Sequence, residues 1–492
     1  MTSPSRPFRR ALPLAVLAAM FLSVPPSVHA ANETVQAWAT TTSGSSLVTP
    51  MSQQQSLTFG PPSGTGTVVN VDSGTTYQTI DGFGGAMTDS AAWLIYNSPK
   101  RDAIMNDLFG SSGAAYSVVR LPMGASDLSL GNYSYDDTCC DLSNFSVGHD
   151  GGYIVPILRQ ARALNPSLKI IGTPWSAPGW MKIGGTFLGN CTSNRNYLKG
   201  SLYASYASYF AKFVAAYRYG HGIPIHAVSM QNEPHHCNST YATMNMEPAD
   251  QSNFALSLRR ALDTAGFAGV KIIAWDHNWY ERSRPTTYPQ SVLSYNKSQA
   301  LGAVSAVAYH CYSSPEGGYS VQTTFHNAYP SKEVHFTECT SGNWAPDAAA
   351  NLVWAMQNNL IGPIRNWART SLYWSVALDP AGGPYVGGCK TCRGMITVDN
   401  GTGSYTKNGE YYVWEHFSKV VQPGAVRIAS TDLGNGSVQT VAFRNADGSI
   451  ALIALNSGGA ASLSFRVAWA GQSFDYTLPA RSVTSFKWTP GS

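Results

Sequence analysis

Ile225-His-Ala-Val-Ser-Met-Gln-Asn-Glu-Pro234 is the stretch that decides the fold. Ile225 to Met230 reads as a short buried strand, and it stops at a polar tip, Gln231-Asn232-Glu233-Pro234. A proline cannot donate to a sheet ladder, and it biases the residue before it away from helix. Glu233 is therefore expected at the C-terminal end of a strand, which is where parallel barrels keep their chemistry. The chain has nine glutamates, and none lies between Glu33 and Glu233. A second strand-end glutamate is Glu338, in Glu333-Val-His-Phe-Thr-Glu-Cys-Thr340. Each has an ordinary reading when taken singly: Glu233 as a cap for the following helix, Glu338 as the partner of a lysine. Together, at two strand tips, they suggest an acid and a nucleophile facing one bond.

Outward from this stretch, apolar strands alternate with longer helical patterns from Tyr77 onward. That alternation argues for a parallel α/β arrangement. Eight strand candidates can be counted: Gln78–Gly84, Ser117–Pro122, Lys169–Trp175, Ile225–Met230, Val270–Asp276, Val304–His310, Glu333–Glu338 and Ser371–Ala377. Helical patterns lie between most of them, as at Tyr203–Tyr217, where Phe210, Phe213 and Val214 share one face, and at Asp250–Ala265 and Asp347–Asn358. A last helix is expected over Glu410–Val421. Eight strands with helices between them predict a (β/α)8 TIM barrel over residues 76–421. Residues 31–75 and 422–492 read instead as short antiparallel strands split by Gly, Asn and Asp turns. They predict a flanking β-sandwich built from both ends of the chain.

Composition narrows the class. At 492 residues, with 12% aromatic and 12% charged residues, the chain reads as a large, loop-rich protein with an aromatic-lined cleft. Arg6, Arg9 and Arg10, then apolar Ala11 to Val24, then Val28-His29-Ala30, predict a secretion signal over residues 1–30. Without it the formal net charge falls from +4 to +1. This leaves no electrostatic footprint for nucleic acid or acidic membranes, and no other stretch approaches a membrane span. Of the eight cysteines, Cys389-Lys-Thr-Cys392 reads as a small loop-closing disulfide rather than a zinc or redox motif. Cys311 and Cys339, beside two strand tips, are left as candidate free thiols.

The residues expected at the barrel rim suit a sugar. Arg120 and Asp127, Trp175, Asn232 with Glu233, Asp276 with His277 and Trp279, His310 and Tyr312, Glu338, and Trp374 all fall at or just after strand ends. Sugar rings stack on aromatics, and their hydroxyls bind Asn, Asp and His. Glycosidic cleavage then needs one carboxyl group to protonate the leaving oxygen and one carboxylate opposite it. His235-His236 beside Glu233 lacks the helical spacing of a zinc site, so no metal is expected.

Several motifs carry a resemblance: Asp81-Gly-Phe-Gly-Gly-Ala-Met-Thr-Asp89, Arg120-Leu-Pro-Met-Gly124, Ser126-Asp127, Thr173-Pro-Trp-Ser-Ala-Pro-Gly-Trp-Met-Lys182, Gln231-Asn-Glu-Pro234, and Glu410-Tyr-Tyr with His416-Phe-Ser-Lys419. In this order they resemble glycoside hydrolase family 30, which contains lysosomal glucosylceramidase and microbial β-1,6-glucanases. The resemblance implies retaining double displacement without a cofactor. It implies Glu233 as acid/base and Glu338 as nucleophile. It places Asn232 at the sugar 2-hydroxyl, and Arg120, Asp127, Trp175, Tyr312 and Trp374 around a glucose. The chain departs from glucosylceramidase at His235-His236-Cys237, at Ser375 after Trp374, and over Gly387–Arg393, where the leaving group would sit.

The expected function is thus a secreted retaining β-glycosidase acting on β-linked glucose in a polysaccharide or oligosaccharide. β-1,6-Glucan is favoured over glucosylceramide, with β-1,6-galactan and short β-glucosides as alternatives. The expected separation of the two carboxyl groups is about 5 Å. A non-catalytic glycan-binding protein, or a sandwich that is an independent binding module, are the rivals. Oligomeric state is left open.

Overall fold

The structure is a computed structural model that describes Met1 and residues 33–491, apart from 63–65, 193, 313 and 460. Most of the segment read as a secretion signal lies outside the described residues. Eight parallel strands close into a barrel: β1 (Gly82–Ala86), β2 (Val118–Pro122), β3 (Lys169–Thr173), β4 (Ala227–Ser229), β5 (Lys271–Asn278), β6 (Ala306–His310), β7 (Glu333–Glu338) and β8 (Ala368–Tyr373). Neighbours in sequence are neighbours in the sheet, and β8 pairs with β1 to close it.

All eight predicted barrel strands are present, with shifts at the two ends of the series. The first prediction straddles two strands. Gln78 and Thr79 end a sandwich strand, Val68–Thr79, and the barrel strand begins only at Gly82. Gly82 has φ 139°, and a Cβ there would meet Ser117 Oγ at 2.1 Å, so glycine is what lets the chain turn into the barrel. The eighth strand starts three residues earlier than predicted and ends at Tyr373, which puts Trp374 just beyond it.

Strand alternation fills the barrel. Val118, Ile171, Ala227, Ile273, Ala306, Ala308 and Leu372 form the core inside the strands. The opposite faces pack on the surrounding helices, through residues such as Val119, Ile170, Val228 and Ala274. Side chains two residues on from the inner set must point into the barrel mouth. That rule carries Arg120 from Val118, His310 from Ala308 and Trp374 from Leu372.

Two β-bulges break the alternation at the top. Between β5 and β6 the register slips after Ala308, and between β6 and β7 it slips after Tyr309. Trp275 and Asp276 hold φ 69° and 62° at the first slip. A bulge re-aims side chains at the cost of one unpaired residue. Here it turns Trp275 out into the helix layer and Asp276 in toward Arg120. The second leaves Thr337 and Glu338 both facing inward, toward Asp276 and Arg120.

The ends of the chain do meet in a sandwich. Thr34–Ser43 pairs antiparallel with Ser482–Trp488. Val68–Thr79 pairs with Val426–Ser430 along one part and with Leu463–Trp469 along another, joining the two sheets. Their faces bury Val35, Val69, Ile428, Leu452, Phe465, Phe486 and Trp488. Gln472–Leu478 is a further strand of the sandwich, paired with Leu463–Trp469. Among the described residues no helix is long and apolar enough to cross a membrane.

Candidate active site

The barrel mouth opens into a cleft of about 670 Å³. Nine of the twelve rim residues singled out from sequence as site candidates, the two glutamates and seven sugar-binding candidates, converge there. Asp127, Trp175, Asn232, Glu233, Tyr312, Glu338 and Trp374 line the cleft. Arg120 and His310 lie fully buried beneath it and act on the lining groups.

Arg120 is the hub. Its Nη1 donates to Glu338 Oε2 at 2.5 Å, and its Nη2 donates to Asn232 Oδ1 at 2.7 Å and Asp276 Oδ2 at 3.0 Å. A guanidinium can hold three acceptors in fixed directions, which a lysine cannot. Its carbon stands 4.8 Å over the Trp175 ring, and Trp175 stacks on Trp374 with centroids 5.0 Å apart. The cation thus orients one carboxylate, one amide and an aromatic wall together.

Glu233 follows β4 with φ 44°, held by its N–H to Asp276 O at 3.0 Å. It does not cap the next helix, whose cap is Glu247. Instead its Oε1 lies 3.1 Å from His310 Nδ1 and 3.3 Å from His277 Nδ1. His310 Nδ1 is also 3.9 Å from Glu338 Oε1, so with 3.1 Å to Glu233 the two near oxygens are at most about 7 Å apart. His310 Nε2 lies 3.0 Å from Asp276 Oδ1, which also accepts from Thr337 at 2.6 Å.

The electrostatics follow from this packing. Burial would push the His310 imidazole down, but Glu338, Asp276 and Glu233 outweigh it and hold it up at about 9. Burial would raise Glu233, but His277 and His310 outweigh it and keep its carboxyl well below the usual range. At Glu338 burial prevails over His310 and Arg120, with Glu233 adding to it, and its carboxyl is raised. The two glutamates therefore titrate as a coupled pair. Burial and then Glu338 push Asp127 up to about 7.

Glu233, His277 and His310 bring ligand atoms within 4.8 Å of one another, a set that could also hold a transition metal. His235 and His236 do not form a ligand pair. His235 bridges Glu281 and Glu247, while His236 meets the Tyr241 hydroxyl. Two expectations are corrected. Cys311 and Cys339 are not free: they form a disulfide across the tips of β6 and β7, and among the described residues no cysteine is unpaired. Their strands are neighbours, which sequence spacing alone does not reveal. Trp279 is not at the cleft but stacks on Phe336 in the helix layer. The alternative reading of Glu338 as a lysine's partner is not realised, since it pairs with Arg120. The small Cys389–Cys392 loop closure is present.

Sequence reading left Tyr241 and Trp344 unassigned, and it placed Gly388 only within the Gly387–Arg393 departure, although all three line the cleft. It noted Asp276 and His277 at a strand tip without giving them partners. Asp276-His277-Asn278 was a legible polar run, whereas nothing in the sequence marks Trp344.

Residues 80–421 match the glycosyl hydrolase family 30 TIM-barrel domain, and residues 424–486 match the family 30 β-sandwich domain. An endo-1,6-β-D-glucanase of Neurospora crassa is 38% identical over 398 residues, covering 75% of this chain and 77% of that one. An endo-1,6-β-D-glucanase of Trichoderma harzianum is 35% identical over 430 residues, covering 83% and 84%. The solved structure of an endo-β1,6-glucanase superposes with a TM-score of 0.81 at 32% identity, covering 92% of this chain and 99% of that one.

Proposed function

The chain belongs to glycosyl hydrolase family 30 and is a glycosidase, and from that premise we propose that it is secreted and cleaves β-1,6-glucan by retaining double displacement. The observation that carries the mechanism is the meeting of Glu233 and Glu338 at one ring nitrogen of His310. A separation of at most about 7 Å accommodates direct attack by one carboxylate, for which retaining enzymes hold the pair about 5–5.5 Å apart.

Glu338, oriented by Arg120, attacks the anomeric carbon. Glu233 gives its proton to the departing oxygen, then takes one from the water that releases the glycosyl-enzyme. At neutral pH that proton sits on the His310 imidazolium rather than on Glu233, because the surrounding carboxylates raise the ring and the two imidazoles lower the acid. A transfer across 3.1 Å from Nδ1 to Oε1 delivers it, leaving a neutral ring and a protonated acid. The loss of one cation also relaxes the pull that held Glu233 low. Asn232, fixed by Arg120, presents its amide to the 2-hydroxyl, and the Trp175–Trp374 wall takes the ring face.

The names of the fungal relatives favour β-1,6-glucan as substrate. The basic-then-apolar segment before Ala31 and the disulfides Cys191–Cys237, Cys311–Cys339 and Cys389–Cys392 favour an oxidising, extracellular destination. The test is product release from β-1,6-glucan, laminarin, β-1,6-galactan, glucuronoxylan, a lipid-linked glucoside and an aryl β-glucoside. Wild type is run beside Glu338→Gln, and the product anomer is read by NMR. Cleavage of β-1,6-glucan with the β anomer released first, abolished in the variant, is expected. An inverted product would overturn the mechanism, and turnover surviving in Glu338→Gln would overturn the nucleophile.

A further inference from the structure

A second cavity of about 620 Å³ opens beside the cleft, and the two share His236, His277 and Asn278 as lining residues. They are therefore continuous. The second cavity is lined by neither Glu338, Asp127, Trp175 nor Trp374. It is lined instead by the flanks of Glu233: His235, His236 and His277. An acid/base faces the oxygen that departs, so a cavity on its side receives what departs with that oxygen.

The walls are built firmly. One wall is the loop after β3, joined by the Cys191–Cys237 disulfide to the segment that follows Glu233. Lys182, wholly buried, reinforces this join through Leu188 O at 2.9 Å and Thr243 O at 2.7 Å. Tyr197 on this wall donates to Glu247 at 2.7 Å. The other wall is a hairpin, Tyr280–Glu281 against Arg284–Pro285. Its turn residues Arg282 and Ser283 have φ 49° and 63°, the conformation that matches strand twist in a two-residue turn. His235 ties the walls together, with Nδ1 2.5 Å from Glu281 and Nε2 3.4 Å from Glu247. The half-buried rings of Tyr197 and Tyr280 offer apolar faces. Asn245, Glu247 and Arg282 offer hydroxyl partners of both kinds. Pre-formed concavity with aromatic faces and a few polar groups is the character of a small-ligand site.

We propose that this cavity is the leaving-group-side subsite, seating the glucosyl units that depart when the chain is cut. The proposal rests on the glycosidase reading above and deepens it: a glucan held on both sides of the scissile bond is cleaved internally. Binding energy gathered there is felt at the reacting bond, so longer chains react faster.

The test compares kcat/KM on β-1,6-linked gluco-oligosaccharides of increasing length with kcat/KM on an aryl β-gentiobioside, whose leaving group carries no sugar. Wild type is run beside Tyr280→Ala and Arg282→Gly. Glycine accepts the φ of Arg282 without strain, and that position is exposed, so this variant reads out even if Tyr280→Ala folds poorly. The variants are expected to lose about tenfold on the longer oligosaccharides, to shift the point of cleavage, and to keep aryl turnover. An equal fall on both substrates would make the residues merely structural, and no fall on either would empty the cavity of a role; both overturn the proposal. If wild type spares β-1,6-linked chains but cuts another β-glucan, the substrate reading alone fails. The same comparison on that glucan then decides the cavity.

Discussion

Glu233 sits among two imidazoles that hold its carboxyl low, whereas at Glu338 burial outweighs His310 and the Arg120 guanidinium and holds the carboxyl up. Replacing His277 with asparagine removes a basic group 3.3 Å from Glu233 Oε1. The proton shared by Glu233 and His310 should then bind more tightly, and the alkaline limb of the kcat/KM profile should move up by about one pH unit. An unmoved limb would mean that His277 does not act on the proton shared by Glu233 and His310. Gly388 makes a second prediction. A Cβ there would stand 2.4 Å from Asp127 Cβ and 2.5 Å from Oδ2. On the proposed reading of Asp127 as a sugar-binding group, Gly388→Ala should displace its carboxyl and lower kcat/KM about tenfold with little change in melting temperature, since a misplaced binding group weakens alignment. Wild-type kinetics in that variant would remove Asp127 from the site. The carboxylates, Arg120 and the tryptophans were legible from their places at strand ends. The role of Gly388 was not, because a glycine's value at a close approach depends on what approaches it.

Among the elements, β5, β6 and β7 carry most of the site, and they do so through slipped register. Alternation read from sequence placed the strands correctly, but it would have pointed Trp275 inward and Asp276 outward. No residue pattern marks the bulges, since they arise where three neighbouring strands must match lengths and twist. The Cys311–Cys339 disulfide fastens the tips of β6 and β7 beside these slips, closing a 28-residue separation. Reduction, or the paired substitution Cys311→Ser with Cys339→Ser, should cost about 3 kcal/mol by relaxing the unfolded chain's constraint. Chemical denaturation with and without the bond checks this, and identical midpoints would mean that the bond adds nothing. Activity should fall with it, because His310 and Glu338 each adjoin one of its cysteines.

Barrel and sandwich are joined through a buried histidine. His416, on the last helix, Gly409–Ser418, places Nε2 2.8 Å from Thr40 Oγ1 and Nδ1 2.8 Å from Ser485 Oγ. One contact reaches each end of the chain. Burial holds its imidazole down at about 3. Between pH 6.5 and that value the unfolded chain binds a proton that the folded one refuses. Its contribution is therefore complete above pH 6.5 and is lost as pH falls, approaching 1.4 kcal/mol per pH unit. Melting temperature should drop steeply from pH 6.5 toward 4, and His416→Gln should flatten that slope while lowering stability at neutral pH. Parallel slopes would move the acid sensitivity to other groups.

Local rules sufficed for the parts of this protein that are local. Apolar runs of strand length, punctuated by proline and glycine, determined eight strands and their order. The polar residue after each run determined what stands at the barrel rim, and hence a pair of glutamates with aromatic and polar company. Tertiary structure alone decided which groups touch. It set the imidazoles around Glu233, the Cys311–Cys339 pairing, the two bulges, and the cavity on the acid's far side. Each of these depends on register and packing between segments distant in the chain, and a contact of that kind has no period, spacing or composition by which a sequence could announce it.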